Sequence, residues 1–225
     1  MNLYQNFKMK YSNILTNQNI SIGLIWLFHV SGIIGIIYSD ASWFIKATPL
    51  NLMVSFILLL LNIERSKKIL FLVLLCFSVG MLAEIIGVKH GFIFGKYSYG
   101  DALGPKFMEA PLMMGIVWCI LVFITGFIVQ LFFDTIWARI IAGIALMLFL
   151  DLVIEPVAPV LDFWTFESGL ASYHNYIGWV ATAFPLQLLF HKAKLKIDGS
   201  FAFHLYFLQF LFFTILLLKV NTLGI

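Results

Sequence analysis

The sequence predicts an all-α, polytopic integral membrane bundle of about seven transmembrane helices, with two connections that are partly membrane-embedded. Three observations lead there. Of 225 residues, 62% are hydrophobic and only 11% are charged, against roughly 25% charged in a soluble domain. Apolar runs follow one another at 20–38, 49–62, 69–88, 110–132, 136–154, 174–190 and 200–220, each read by its unbroken hydrophobicity. The formal net charge is +3, and most of the bases fall between the runs. So few charges cannot cover a soluble domain of this size. An ordinary cytosolic domain, a disordered chain and a nucleic-acid-binding module are therefore excluded, and no anionic partner is implied. A span needs roughly 20 residues, so residues 1–225 make a single transmembrane domain with no room for a soluble one.

The elements can be justified in order. Residues 1–19 form a polar N-terminal tail, and 20–38 reads as a first span that doubles as the insertion signal, because no small-residue cleavage site follows it. The 49–62 run is short for a span and must borrow from its flanks. Cys76 and Cys119 both lie inside apolar runs, which reads as two buried thiols rather than a disulfide. No internal repeat is visible, so an inverted-repeat transporter has no support. With the N-terminus inside, nine of the 14 Lys and Arg fall on the cytoplasmic side (Lys8, Lys10, Arg65, Lys67, Lys68, Arg139, Lys192, Lys194, Lys196) and five on the far side. This favours a cytoplasmic N-terminus, in a bacterial plasma (inner) membrane.

Two connections are unusual. Residues 89–109 read KHGFIFGKYSYGDALGPKFME, and residues 155–173 read EPVAPVLDFWTFESGLASY. Both are too apolar for solvated loops and too broken for spans. They are expected to re-enter the membrane edge or to fold over the bundle as a lid, shielded by protein.

The acids gather at the same edge. Glu84 lies near the end of the third run and Glu109 at the start of the fourth. Asp151 and Glu155 end the fifth, and Asp162 and Glu167 lie in the second connection. Asp151 and Glu155 are four residues apart and share one helical face. An acid near the centre of a spanning helix costs about 2.5–3.5 kcal/mol on insertion scales, which marks Glu84 and Asp151 as site candidates. The plain alternative is that these carboxylates cap loop amides or pair with Lys89, Lys96 or Lys106. Tyr97, Tyr99, Trp164, Phe166, Tyr173, Tyr176 and Trp179 fall in or beside the same connections. An interfacial aromatic belt would account for them too. Taken with the acids, they suggest a greasy pocket with a few proton-bearing groups. His29, His90, His174, His191 and His204 are scattered, with no histidine box, so a di-iron oxygenase is disfavoured and no metal site is expected. The paired aspartate-rich motifs of membrane prenyltransferases are missing. Lys219 stands at the very end of the last run, too shallow for a retinal Schiff base.

The stretch Glu84-Ile-Ile-Gly87-Val, then Gly91-Phe-Ile-Phe-Gly95-Lys-Tyr97-Ser-Tyr99, Leu103-Gly104-Pro105 and Glu109-Ala-Pro111-Leu, resembles the first signature of the membrane carotenoid-biosynthesis family. That family includes carotenoid hydratases of the bisanhydrobacterioruberin and γ-carotene type. A second signature is similar to Asp151-Leu-Val-Ile-Glu155-Pro156, then Phe163-Trp164, then Asn175-Tyr176-Ile-Gly178-Trp179. The signature-bearing region is 80–185. The resemblance implies hydration of the terminal isoprenoid double bond of an acyclic carotenoid end group to a tertiary alcohol, with no cofactor. The carotenoid would come from the lipid phase, and other carotenoid-pathway enzymes would be partners.

The residues suit that chemistry on their own terms. Water addition to a trisubstituted alkene begins with protonation, and a buried carboxyl near a second carboxylate keeps its proton more readily. Glu84, Asp151 and Glu155 are the expected catalytic set. Tyr97, Tyr99, Trp164, Asn175, Tyr176 and Trp179 are the expected substrate-binding set. The π faces of Tyr97, Trp164 and Trp179 would stabilise a cation, and Asn175 would orient the water. Two other readings use the same residues. One is a membrane lycopene-type cyclase, in which an internal double bond captures the cation. The other is a non-catalytic carotenoid-binding protein.

Overall fold

The computed structural model describes residues 17–195 and 199–219. Its helices are α1 (Asn17–Tyr38), α2 (Ala41–Lys46), α3 (Thr48–Leu61), α4 (Lys67–His90), α5 (Leu112–Gln130), α6 (Ile136–Ile154), α7 (Tyr173–Lys192) and α8 (Ser200–Lys219). Local chemistry sets several boundaries. The Asp40 carboxylate accepts from Trp43 N at 3.2 Å and caps α2. Ser66 and Thr135 do the same for α4 and α6, accepting from Ile69 N and Ala138 N at 3.3 Å each. Gly91, at φ 67°, closes α4 in a left-handed cap.

The bundle is built around α5. Only Leu112, Val117 and Gln130 of that helix escape full burial, as expected of a helix that is apolar all round. The surrounding helices turn large apolar side chains outward, among them Leu27, Ile34, Leu70, Phe71, Leu74 and Ile141. Such a surface calls for lipid rather than water.

The all-α membrane bundle stands, but the expectation of seven spans is not met by length and composition. Among the described residues, α1, α4, α5, α6 and α8 are long and apolar enough to cross a membrane. Helix α3 has 14 residues and rises only about 21 Å. Helix α7 interrupts its apolar residues with buried Asn175, Thr182, Gln187 and His191. Of the expected tail, residues 17–19 already belong to α1. Lys8, Lys10 and Lys196 lie outside the described residues.

The two unusual connections contain short strands. β2 (Lys106–Phe107) and β3 (Ala110–Pro111) form a tiny hairpin. Its turn residues, Met108 and Glu109, have φ of 51° and 74°, the backbone of a tight two-residue hairpin turn. Glu109 is therefore an exposed turn residue and does not begin a helix. β1 (Tyr97–Tyr99) pairs antiparallel with β4 (Trp164–Phe166) and so joins one connection to the other. Around this ribbon, Asp162 Oδ2 accepts from Asp101 N at 2.8 Å and Ala102 N at 3.2 Å. Lys106 Nζ donates to Tyr99 O at 2.9 Å. Asp162 is thus a loop cap, as the plainer reading of the acids allowed.

Helix α7 is drawn against the first connection at Gly178, where an added Cβ would run into the Ile93 carbonyl. Gly178→Ala is expected to lower stability by about 1–3 kcal/mol, the usual penalty for overpacking. Thermal unfolding in detergent measures it, and a variant melting with the wild type would show that this contact is slack.

Candidate active site

Glu84 is buried on α4, six residues before the helix ends. Its partners follow from strand geometry. Residues two apart on a strand point to one face, so Tyr97 and Tyr99 face inward together while Ser98 is exposed. Tyr97 OH donates to Glu84 Oε2 at 2.7 Å, and Tyr99 OH donates to the same oxygen at 2.6 Å. Trp118 Nε1, from α5, donates to Glu84 Oε1 at 3.0 Å. Burial works against a charge on Glu84, and the three donors work for it. Burial, and then the Glu84 charge, push both phenols up, so they stay O–H donors.

The ribbon register sets Tyr97 opposite Phe166 and Tyr99 opposite Trp164. Their ring centroids lie 5.7 Å and 6.4 Å apart, respectively. One face of a three-residue ribbon therefore presents four aromatic rings.

A second cluster faces the first. Asn175, in the first turn of α7, donates from Nδ2 to Asp151 Oδ2 at 3.1 Å and also to Glu155 Oε1. Tyr176 OH donates to Glu155 Oε2 at 2.8 Å. The i, i+4 spacing on α6 thus puts two carboxyl groups on a single amide. Asp151 is buried, and Glu155, the residue that caps α6, is half-buried.

Two cavities meet between these clusters. The smaller, about 300 Å³, lies between Glu84 and Asp151, with Tyr97, Tyr99 and Asn175 on its wall. The larger, about 640 Å³, is almost wholly apolar and runs among Leu52 of α3, Val117 and Leu121 of α5, and Phe213 of α8. Met114, Asp151, Trp164 and Trp179 line both. Trp179 stacks on Trp118 with centroids 4.7 Å apart. Asp151 is therefore the carboxyl that looks into the greasy cavity from the polar one.

All nine expected site residues fall in this region, though their positions differ from those foreseen. Asn175, expected to orient water, ties the two acids together. Tyr97, expected to offer a π face, engages Glu84 through its hydroxyl. Glu155 and Tyr176 line neither cavity and touch the site from behind Asp151 and Asn175. Glu167 is exposed and pairs with Lys96 at 3.7 Å. Tyr173 is exposed and packs against His174 with centroids 4.2 Å apart. Trp118 was not foreseen. Its one signal was an indole N–H in the middle of an apolar run, which requires a buried acceptor.

A family model described as Carotenoid biosynthesis protein matches residues 46–224. The chain belongs to this family. The match takes in every residue of both clusters. Among curated proteins, the bisanhydrobacterioruberin hydratase of Haloarcula japonica is 27% identical over 136 residues, which is 57% of this chain and 46% of that protein. The chain spans about half the length of that relative. No solved structure matches this carotenoid biosynthesis protein.

Proposed function

We propose that this chain hydrates the terminal double bond of an acyclic carotenoid end group, giving a tertiary alcohol. The observation that carries the reading is the position of Asp151, a buried carboxyl at the meeting point of an apolar cavity and a polar one. The hydratase relative supports the same chemistry. The end group enters the greasy cavity from the lipid phase. The Asp151 carboxyl donates its proton to the =CH– carbon, and the π electrons form the new C–H bond. The positive charge is left on the carbon bearing two methyl groups. Glu84, acting as a carboxylate that accepts from Tyr97, Tyr99 and Trp118, offsets that charge. The rings of Trp164 and Trp179 add roughly 0.5–2 kcal/mol each where a π face meets the cation. A water oxygen then forms the C–O bond and gives up a proton, which returns to the Asp151 carboxylate. Glu155, half-buried and sharing Asn175 with Asp151, links that acid to the outside. A positive-inside count made for seven spans favours a cytoplasmic N-terminus, in a bacterial plasma membrane. The enzymes that make or use the carotenoid are its expected partners.

The test is expression in hosts that accumulate lycopene or γ-carotene, followed by chromatography of the pigments with mass detection. The expected product is heavier by one water per reacting end. An unchanged mass with a shifted absorption spectrum would replace hydration by cyclisation. No change in either would leave a carotenoid-binding protein and sink the reading.

A further inference from the structure

Apart from Asp151, two polar side chains line the apolar cavity: Thr48 at the start of α3 and Gln209 on α8. Thr48 is partly exposed. Gln209 is buried, with 7% of its surface exposed, and its side-chain amide oxygen has no hydrogen-bond partner among the described residues. A buried acceptor without a donor is costly, and Gln209 carries this one on a residue that lines the cavity.

We propose that Gln209 Oε1 holds the water that captures the cation, and so decides between hydration and loss of the proton. The inference rests on the hydratase reading. Gln209 and Asp151 belong to different helices, α8 and α6, yet face one cavity, so an end group between them has the acid and the water site within the same space. Oε1 accepts one O–H of the water, which leaves a lone pair on the water oxygen for the tertiary carbon. That lone pair forms the C–O bond, and the water's other proton passes to the Asp151 carboxylate. Without a held water, the cation returns a proton from an adjacent carbon to the same carboxylate. The alkene is then regenerated, with no net oxidation or reduction.

The experiment uses full-length protein in membrane vesicles, with lycopene as the probe in D2O buffer. Deuterium in recovered lycopene reports protonation, and hydrated product reports water capture. Gln209→Met keeps the volume and removes the acceptor. It is expected to cut hydrated product about tenfold, the effect of losing one buried hydrogen bond in the transition state, and to raise the deuterium in recovered lycopene. Gln209→Glu keeps an acceptor oxygen and is expected to retain hydration. Wild-type hydrate yield from Gln209→Met would overturn the proposal. So would loss of both hydrate and deuterium by that variant at an unchanged melting temperature, since Gln209 would then serve protonation. A folded Gln209→Glu that makes no hydrate would overturn it as well. Failure of the underlying reading looks different, because there the wild type itself makes no hydrate and takes up no deuterium.

Discussion

Asp151→Asn is expected to abolish hydrated product, with a fall of about a hundred- to ten-thousand-fold, the usual worth of a positioned general acid. The substitution keeps shape and volume. Its side-chain oxygen can still accept from Asn175 Nδ2, now 3.1 Å from Asp151 Oδ2, so the tie between α6 and α7 survives. What disappears is the transferable proton at the junction of the two cavities. The measurement is pigment extraction and mass detection beside a melting curve of the purified variant. Undiminished hydrate would remove Asp151 from proton transfer and leave the cavity junction without a donor.

Glu84→Gln is the second large effect, and it separates charge from architecture. Two phenols share Oε2 and one indole takes Oε1. An amide can place its NH2 against the two phenol oxygens, which also accept, and keep its oxygen for Trp118. Stability should therefore change by only about 1 kcal/mol, while the negative charge opposite the cation is lost. Electrostatic stabilisation of this kind carries factors of about a hundred to a thousand, and the hydration rate should fall by that order. A variant as active as the wild type would reduce Glu84 to a brace for Tyr97, Tyr99 and Trp118.

The catalytic candidates were legible because an acid inside an apolar run stands out against its neighbours. Glu84 and Asp151 needed no partner to be noticed. The same logic gathered Glu109, Asp162 and Glu167 at the same edge, where the structure gives them a turn, a loop cap and a surface ion pair. Nothing in one dimension separates a carboxylate that faces a cavity from one that caps an amide 61 residues away. Trp118 and Gln209 were passed over because each sits in a stretch that packs like any spanning helix. Only the neighbours brought by other helices turn one into a donor and the other into an open acceptor. The β1–β4 ribbon was beyond reach because three residues per strand give too short an alternation to detect. The bundle itself was legible from composition. The number of spans was less so, because five of the described helices are crossing candidates by length and composition, while α3 is short and α7 carries buried polar residues.

The ribbon has a consequence for how the protein comes into being. Tyr97 and Tyr99 leave the ribosome before α5 and α6 exist, yet their register is set by Trp164 and Phe166. Contacts so distant along the chain form late, after the closure of a long loop. During synthesis and insertion Tyr97 and Tyr99 therefore wait for their partner strand, and the cavity wall they form with Trp164 and Phe166 closes only after the second connection has emerged.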